Sequence, residues 1–116
     1  MNLYHRTQES VDIVKLPERL MMADAASARA TLKDIIDQGS GKLILNLSAT
    51  SFMDSSGLAV IVSALQAARK RDGDVYLCGM SKTVRALFEL TRLQTVFQIF
   101  DDEKVALRAF GGTMST

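Results

Sequence analysis

A nearly continuous apolar run at residues 42–47, with the sequence KLILNL, constrains the fold of this chain more than any other feature. A strand with one face in water alternates apolar and polar residues, whereas an unbroken apolar strand suits a sheet covered on both faces. After a short loop, apolar residues recur at intervals of three and four, the spacing of one helical face: Leu58, Ile61, Val62, Leu65 and Ala68. The segment therefore predicts a buried strand, a loop and a helix.

The rest of the chain continues this alternation of strands and helices. An alanine-rich stretch at 24–38 predicts the first helix, and the glycines on either side of Ser40 end it. The other predicted elements are strands at 3–7 and 11–16 around a turn, strand 43–48, helix 55–71, strand 75–78, a helix from the N-cap Ser81 through Leu90, an edge strand at 96–100, and a last helix through Ala109 capped by Asp101 or Asp102. This order predicts an α/β fold: a mixed sheet that opens with a hairpin, later strands parallel, and about four helices packed mainly on one face.

Length and composition indicate one ordinary globular domain. With 116 residues we expect a single domain over 1–116, with its core at 3–110 and a flexible polar tail at 111–116. The formal charge of +1 gives no electrostatic argument for nucleic acid or an acidic membrane. The apolar runs are far shorter than the ~20 residues of a membrane span. The first residues contain no apolar signal core, so export is not expected.

The single cysteine indicates the compartment. Cys78 excludes an internal disulfide framework and suits a reducing cytoplasm, where we expect this protein to be located. It lies in an apolar, strand-like run, so we expect a small buried hydrophobic side chain and not a reactive thiol.

The joint between the central strand and its helix carries two hydroxyls. Ser55 or Ser56 is predicted to be the helix N-cap, and a hydroxyl in this place is either a cap or a target of modification. Gly57 leaves the first turn without a side chain, so a partner's backbone or a bulky anion could approach it. Because the carboxyl ends of parallel strands meet at one edge of a sheet, the loop after strand 11–16 should lie beside the serines. Three residues of that loop are candidates for a partner contact: Leu20, Met21 and Met22. The alternative is that one or both methionines pack under the first helix.

The sequence does not supply the residues that catalysis at Ser55 or Ser56 would require. A serine nucleophile needs a base, yet the one histidine, His5, lies on a predicted edge strand and is expected to be a solvated surface residue. No metal-ligand spacing, P-loop or Gly-x-Ser-x-Gly elbow occurs, so no catalytic residue, metal or cofactor is predicted. A phosphoacceptor Asp54, as in response-regulator receiver domains, needs an acidic pair after the first strand to hold Mg²⁺, and Thr7-Gln8-Glu9 does not supply it.

Two segments resemble a known family. Residues 43–47 (LILNL) followed by 51–58 (SFMDSSGL) resemble the hallmark of STAS domains, specifically bacterial anti-sigma-factor antagonists. Residues 84–93 (VRALFELTRL), with Val96 and Phe97, are similar to the family's third-helix segment and the strand after it. The resemblance covers residues 3–110.

The resemblance implies a partner-switching regulator and not an enzyme. Ser55 matches the serine that an anti-sigma factor with serine kinase activity phosphorylates, with Ser56 the weaker candidate. The unphosphorylated form would bind that partner, and a phosphoserine phosphatase would restore it. It implies no direct contact with nucleic acid and no insertion into membrane. The phosphorylation loop and partner contact would comprise Met53, Asp54, Ser56, Gly57 and Leu58.

The loop after the second strand departs from the family. Many members have Gly-Glu-Leu-Asp or a similar run there, whereas this chain has LPERLM at 16–21, with a methionine in place of the usual aspartate. A role for an acidic residue in that loop is therefore in doubt, and a specialised partner is one explanation. The alternative function is a non-switching STAS subunit of a cytoplasmic or membrane-transport complex, in which the same loop is a fixed contact.

Overall fold

The structure is a computed structural model that describes residues 3–111. Its strands are β1 (Tyr4–Gln8), β2 (Val11–Lys15), β3 (Arg19–Leu20), β4 (Lys42–Asn46), β5 (Phe52–Met53), β6 (Asp74–Cys78) and β7 (Gln98–Phe100). Its helices are α1 (Met22–Gln38), α2 (Ser55–Arg69), α3 (Lys82–Leu90), a 3₁₀ turn (Leu93–Thr95) and α4 (Glu103–Ala109).

Five strands form the main sheet, in the order β1-β2-β4-β6-β7. β1 and β2 pair antiparallel as an opening hairpin, and every later pair in this sheet is parallel. β4 lies at the centre, where Leu45 is opposite Val14 on one side and Leu77 on the other. The predicted mixed sheet, its hairpin and the edge position of the last strand are confirmed.

The side chains of β4 explain its unbroken apolar sequence. Leu43 and Leu45 belong to the larger core, which also contains residues of α1, α2 and α3. Ile44 points to the opposite face and packs in a smaller cluster with Ala106 and Leu107 of α4. Three helices therefore cover one face of the sheet and α4 covers the other, in agreement with the prediction of four helices packed mainly on one face.

Two of the predicted caps are confirmed. The Ser81 hydroxyl accepts a hydrogen bond from the Val84 N–H at 3.2 Å, and the Asp102 carboxylate accepts from the Val105 N–H at 3.0 Å. These bonds satisfy N–H groups that the first turns of α3 and α4 leave without a helical partner.

The departures from the predicted elements are local. The expected strand at 96–100 begins only at Gln98, because the N–H groups of Val96 and Phe97 both donate to the Leu93 carbonyl in the preceding turn. The short parallel pair of β3 and β5 was not predicted. The predicted flexible tail lies outside the described residues from position 112 onward.

Candidate functional site

Ser55 is the first residue of α2, and its side chain is exposed. Within residues 3–111 its hydroxyl makes no hydrogen bond, whereas Ser56 is half-buried in the same turn. The short loop after β4 and the strand β5 bring Ser55 to the edge of the sheet where the parallel strands end. The Ser55 hydroxyl is therefore open to a modifying enzyme.

The N-cap of α2 is Asp54, so the prediction of a serine cap is wrong. Asp54 has extended backbone angles, and its Oδ1 accepts a hydrogen bond from the Gly57 N–H at 3.0 Å. A cap side chain lies one residue before the helix and accepts from the second or third helical N–H, and Asp54 accepts from the third. Neither Ser55 nor Ser56 is needed to start the helix.

The second oxygen of Asp54 joins two helices. Its Oδ2 accepts a hydrogen bond from the backbone N–H of Met22, the first residue of α1, at 3.0 Å. The Gly57 N–H, and after it the Met22 N–H, hold the pKa of the Asp54 carboxyl below its usual range, against an opposing effect of burial. Asp54 therefore carries a full negative charge beside Ser55 at neutral pH.

The loop after β2 lies directly beside the serine loop, as predicted. Arg19 and Leu20 of β3 pair in parallel with Phe52 and Met53 of β5. The Glu18 carbonyl accepts from the N–H groups of residues 51 and 52, at 2.9 and 3.0 Å. These bonds fix the segment that departs from the family pattern against the segment that carries Ser55.

Burial divides the candidate contact residues into two groups. Leu20 is fully buried in the core and Leu58 is 6 % exposed, so neither side chain forms part of the surface. Met21 and Met53 are half-buried, and Met22 is 74 % exposed. Leu20 therefore packs in the core, whereas Met22 faces outward and stays a candidate for partner contact.

Phe52 is a surface residue that the sequence reasoning did not single out. Its ring is 49 % exposed, and the Arg19 guanidinium carbon lies 5.5 Å from the ring centroid. Exposed aromatic and methionine side chains are typical of protein-contact surfaces, and the exposed Met22 is joined to the serine loop by the bond from its N–H to Asp54. The exposed surface around Ser55 therefore includes Met22 and Phe52.

Gly57 allows a close contact inside the domain and not with a partner. A Cβ atom at this position would lie 2.2 Å from the Leu20 carbonyl oxygen and 2.8 Å from Cγ of Met53. Gly57 is also buried. The expectation that a partner's backbone or an anion could approach here is wrong, because β3 of the same chain fills the space.

The described residues do not place a base or a metal cluster at Ser55. His5 lies on the edge strand β1, where its Nε2 is 2.8 Å from Oδ1 of the buried Asp12. It is exposed as expected, but it is engaged with a carboxylate and is not simply solvated. Within residues 3–111 no three His, Cys, Asp or Glu side chains lie close enough to hold a metal ion.

Cys78 is buried at 0 % exposure, which confirms the prediction of a small hydrophobic side chain. Burial raises the pKa of the Cys78 thiol to about 12, with a further contribution from Glu103.

No helix within residues 3–111 combines the length and the apolar character needed to cross a bilayer.

The fold and the site together define a class: an α/β domain that presents one exposed serine at the capped start of a helix packed on a mixed sheet. The chain belongs to the STAS domain family, whose model matches residues 3–106.

Two of the three similar proteins described next are named anti-sigma factor antagonists. The anti-sigma-B factor antagonist of Staphylococcus aureus is 28 % identical over 105 residues, which are 90 % of this chain and 97 % of that protein. A putative anti-sigma factor antagonist from Thermotoga maritima is 25 % identical in its crystal structure, with a TM-score of 0.86 and 92 % of each chain covered. The phosphorylated form of the Bacillus cell fate determinant SpoIIAA is 22 % identical, with a TM-score of 0.72 over 93 % of this chain and 99 % of that one.

Proposed function

We propose that this protein is an anti-sigma-factor antagonist that exchanges partners according to the phosphorylation of Ser55. The observation that carries the proposal is the exposed Ser55 side chain at the start of α2, whose hydroxyl makes no hydrogen bond with any of the described residues. The names of the Staphylococcus and Thermotoga relatives, and a structure of SpoIIAA in a phosphorylated form, support it. The partner is an anti-sigma factor that is also the serine kinase, a phosphoserine phosphatase reverses the reaction, and the protein acts in the cytoplasm without catalysing a reaction itself.

The charge of the site explains how a phosphate would prevent docking. A phosphate on Ser55 adds about −1.5 to −2 charges next to the ionised Asp54. The partner would have to dehydrate both charges to reach Met22 and Phe52, which are exposed. A few kcal/mol of differential affinity suffices to convert a mostly bound partner into a mostly free one.

The fold should survive the modification. The Asp54 carboxylate, and not a serine hydroxyl, makes the capping bond to Gly57. Phosphorylation of Ser55 therefore removes no hydrogen bond that the described residues make, and the positive end of the helix dipole tolerates the added negative charge. The switch acts on the surface of the domain.

The test uses the cognate kinase with ATP, followed by mass spectrometry of the intact protein and its peptides. We expect one added phosphate on the wild type and on Ser56→Ala, and none on Ser55→Ala. Ser56→Ala is the matched control, because it removes a hydroxyl from the same turn. A phosphate that persists on Ser55→Ala would contradict the assignment.

A second measurement tests the electrostatic account. Ser55→Asp should weaken binding to the kinase by about tenfold or more, whereas the uncharged Ser55→Asn of similar size should weaken it less. Equal affinities for the two variants would show that bulk and not charge prevents docking. An unphosphorylated Ser55 in cells, together with stable co-purification of transporter subunits, would favour the alternative of a non-switching STAS subunit.

A further inference from the structure

A basic groove lies between α1 and α2, away from Ser55. It has a volume of about 390 Å³, and its floor includes Ser63, Ala64 and Ala67 of α2. The ionisable residues that line it are Arg29, Lys33, Asp37, Lys70 and Arg71. The groove combines small floor residues with a concentration of positive charge.

The charge of the groove is not that of the whole chain. Four basic residues and one acidic residue line the groove and give it a charge of +3. The whole chain has 14 basic and 13 acidic residues. Outside the groove there remain ten basic and twelve acidic residues, with a net charge of −2. One face of the helical layer therefore has a net positive charge although the whole protein is nearly neutral, and this local charge favours an acidic ligand.

Two of the four cations already have intramolecular partners. Lys33 Nζ lies 2.7 Å from Asp37 Oδ2, and Arg71 Nη2 donates to the Gly39 carbonyl at 2.9 Å. Arg29 and Lys70 make no side-chain hydrogen bond or ion pair within residues 3–111, and both are exposed. These two cations remain open to an external carboxylate.

The positions of Arg29 and Lys70 on their helices determine how far apart these two cations lie along the groove. α1 and α2 each connect neighbouring parallel strands and so run side by side in the same direction, with their starts joined by the bond from Met22 to Asp54. At 1.5 Å per residue, Arg29 lies roughly 10 Å and Lys70 roughly 24 Å along this layer. The Cα atoms of the two residues are thus ~14 Å apart along the layer and roughly 8–10 Å apart across it, the usual distance between packed helix axes. Two long side chains that reach toward each other can reduce this separation to the ~10 Å between carboxylates seven residues apart on one helical face.

We propose that the groove is a docking site for an acidic helical segment of a partner protein. One carboxylate of the segment pairs with Arg29 and a second with Lys70. Small or apolar residues between them pack on Ala64 and Ala67, which allow two helices to approach closely. A compact anion would need cations that converge on one point, and these cations are spread along the groove. The site lies toward the opposite end of α2 from Ser55, and it does not rest on the phosphorylation switch.

The probe is a synthetic alanine-rich helical peptide with two glutamates seven residues apart on one face. The control peptide has the same composition with the glutamates five residues apart, which places them on different faces. Binding to the full chain is followed by the backbone amide shifts of the ¹⁵N-labelled protein. We expect the first peptide to shift the amides of residues 63–70 and to bind about tenfold more tightly than the control peptide.

Substitutions in the groove test whether it is the site that binds the first peptide. Arg29→Glu combined with Lys70→Glu should weaken binding of the first peptide by about tenfold or more. Lys82→Glu combined with Arg85→Glu is the control, because it makes the same charge change at exposed positions of α3, and it should change binding of the first peptide by less than about twofold. Ala67→Met fills the floor without a charge change and should also weaken binding. Equal binding of the two peptides, equal effects of the two double variants, absence of binding, or tripolyphosphate binding more tightly than the peptide would each overturn the proposal.

Discussion

Substitution of Gly57 by alanine tests the close contact that holds the serine loop. The added Cβ would lie 2.2 Å from the Leu20 carbonyl oxygen, whereas ordinary van der Waals contact begins near 3.4 Å. The Leu20 oxygen is backbone, and β3 is fixed by its pairing with β5 and by the bond from Met22 to Asp54. Alanine therefore fits only if β3 and α2 move apart by about 1 Å.

Two effects of opposite sign determine the result. Alanine in place of glycine inside a helix favours folding by up to about 1 kcal/mol. Overpacking of a well-packed site costs about 1–3 kcal/mol, and the upper part of this range applies where backbone must move. We expect Gly57→Ala to lower the free energy of unfolding by about 1–2 kcal/mol, and the melting temperature by roughly 4–8 °C for a domain of this size.

Urea unfolding followed by circular dichroism measures the change. Ala59→Gly is the control, because residue 59 is exposed in the same helix and reports the propensity effect alone, a loss of about 1 kcal/mol. If Gly57→Ala is as stable as the wild type or more stable, β3 and α2 separate without cost and the reasoning fails. A reduced rate of Ser55 phosphorylation in the same variant would show that the contact also positions the loop.

Two further predictions concern titratable groups. Glu103 accepts hydrogen bonds from Asn46 Nδ2 at 2.7 Å and Arg6 Nη2 at 2.8 Å. Burial acts to raise its pKa, but these two bonds, together with the positive charges of Arg6 and Lys15, hold the pKa below its usual range. A carboxyl with a depressed folded-state pKa stabilises the fold above its unfolded pKa, and this contribution is lost as the pH falls through the folded pKa. Glu103→Gln should therefore lower the free energy of unfolding by about 1 kcal/mol at neutral pH and by less near pH ~3; equal losses in urea titrations at both pH values would refute this. Cys78, with a pKa raised to about 12 by burial, should resist a disulfide reagent at pH ~8 in the native protein and react fully in urea, and rapid modification of the native protein would contradict it.

The sequence predicts the main elements where apolar periodicity is strong. The run at 42–47 becomes the central strand because Leu43 and Leu45 enter one core and Ile44 the other. The caps Ser81 and Asp102 follow from the preference of these residue types for a position just before a helix. The β3–β5 pair could not be predicted, since two residues per strand show no periodicity.

The cap of α2 could not be decided from the local sequence. Asp54, Ser55 and Ser56 are all good N-cap residues and stand in a row. The choice depends on Met22, whose N–H lies 3.0 Å from Asp54 Oδ2 and comes from a segment 32 residues away. Only the aspartate has two oxygens to satisfy both helix starts at once.

If Ser55 is phosphorylated as proposed, this division of roles separates stability from signalling in one turn. Because Asp54 bonds to Gly57 and Met22, the hydroxyl of Ser55 can gain or lose a phosphate without removing a bond that starts either helix. If a serine were the cap, phosphorylation would convert the hydroxyl oxygen that accepts the capping bond into an ester oxygen and add bulk at the helix start, so that the fold and the signal would change together. Under the proposed switch, substitutions at Asp54 should therefore alter stability and phosphorylation, whereas those at Ser55 should alter partner binding with little effect on unfolding.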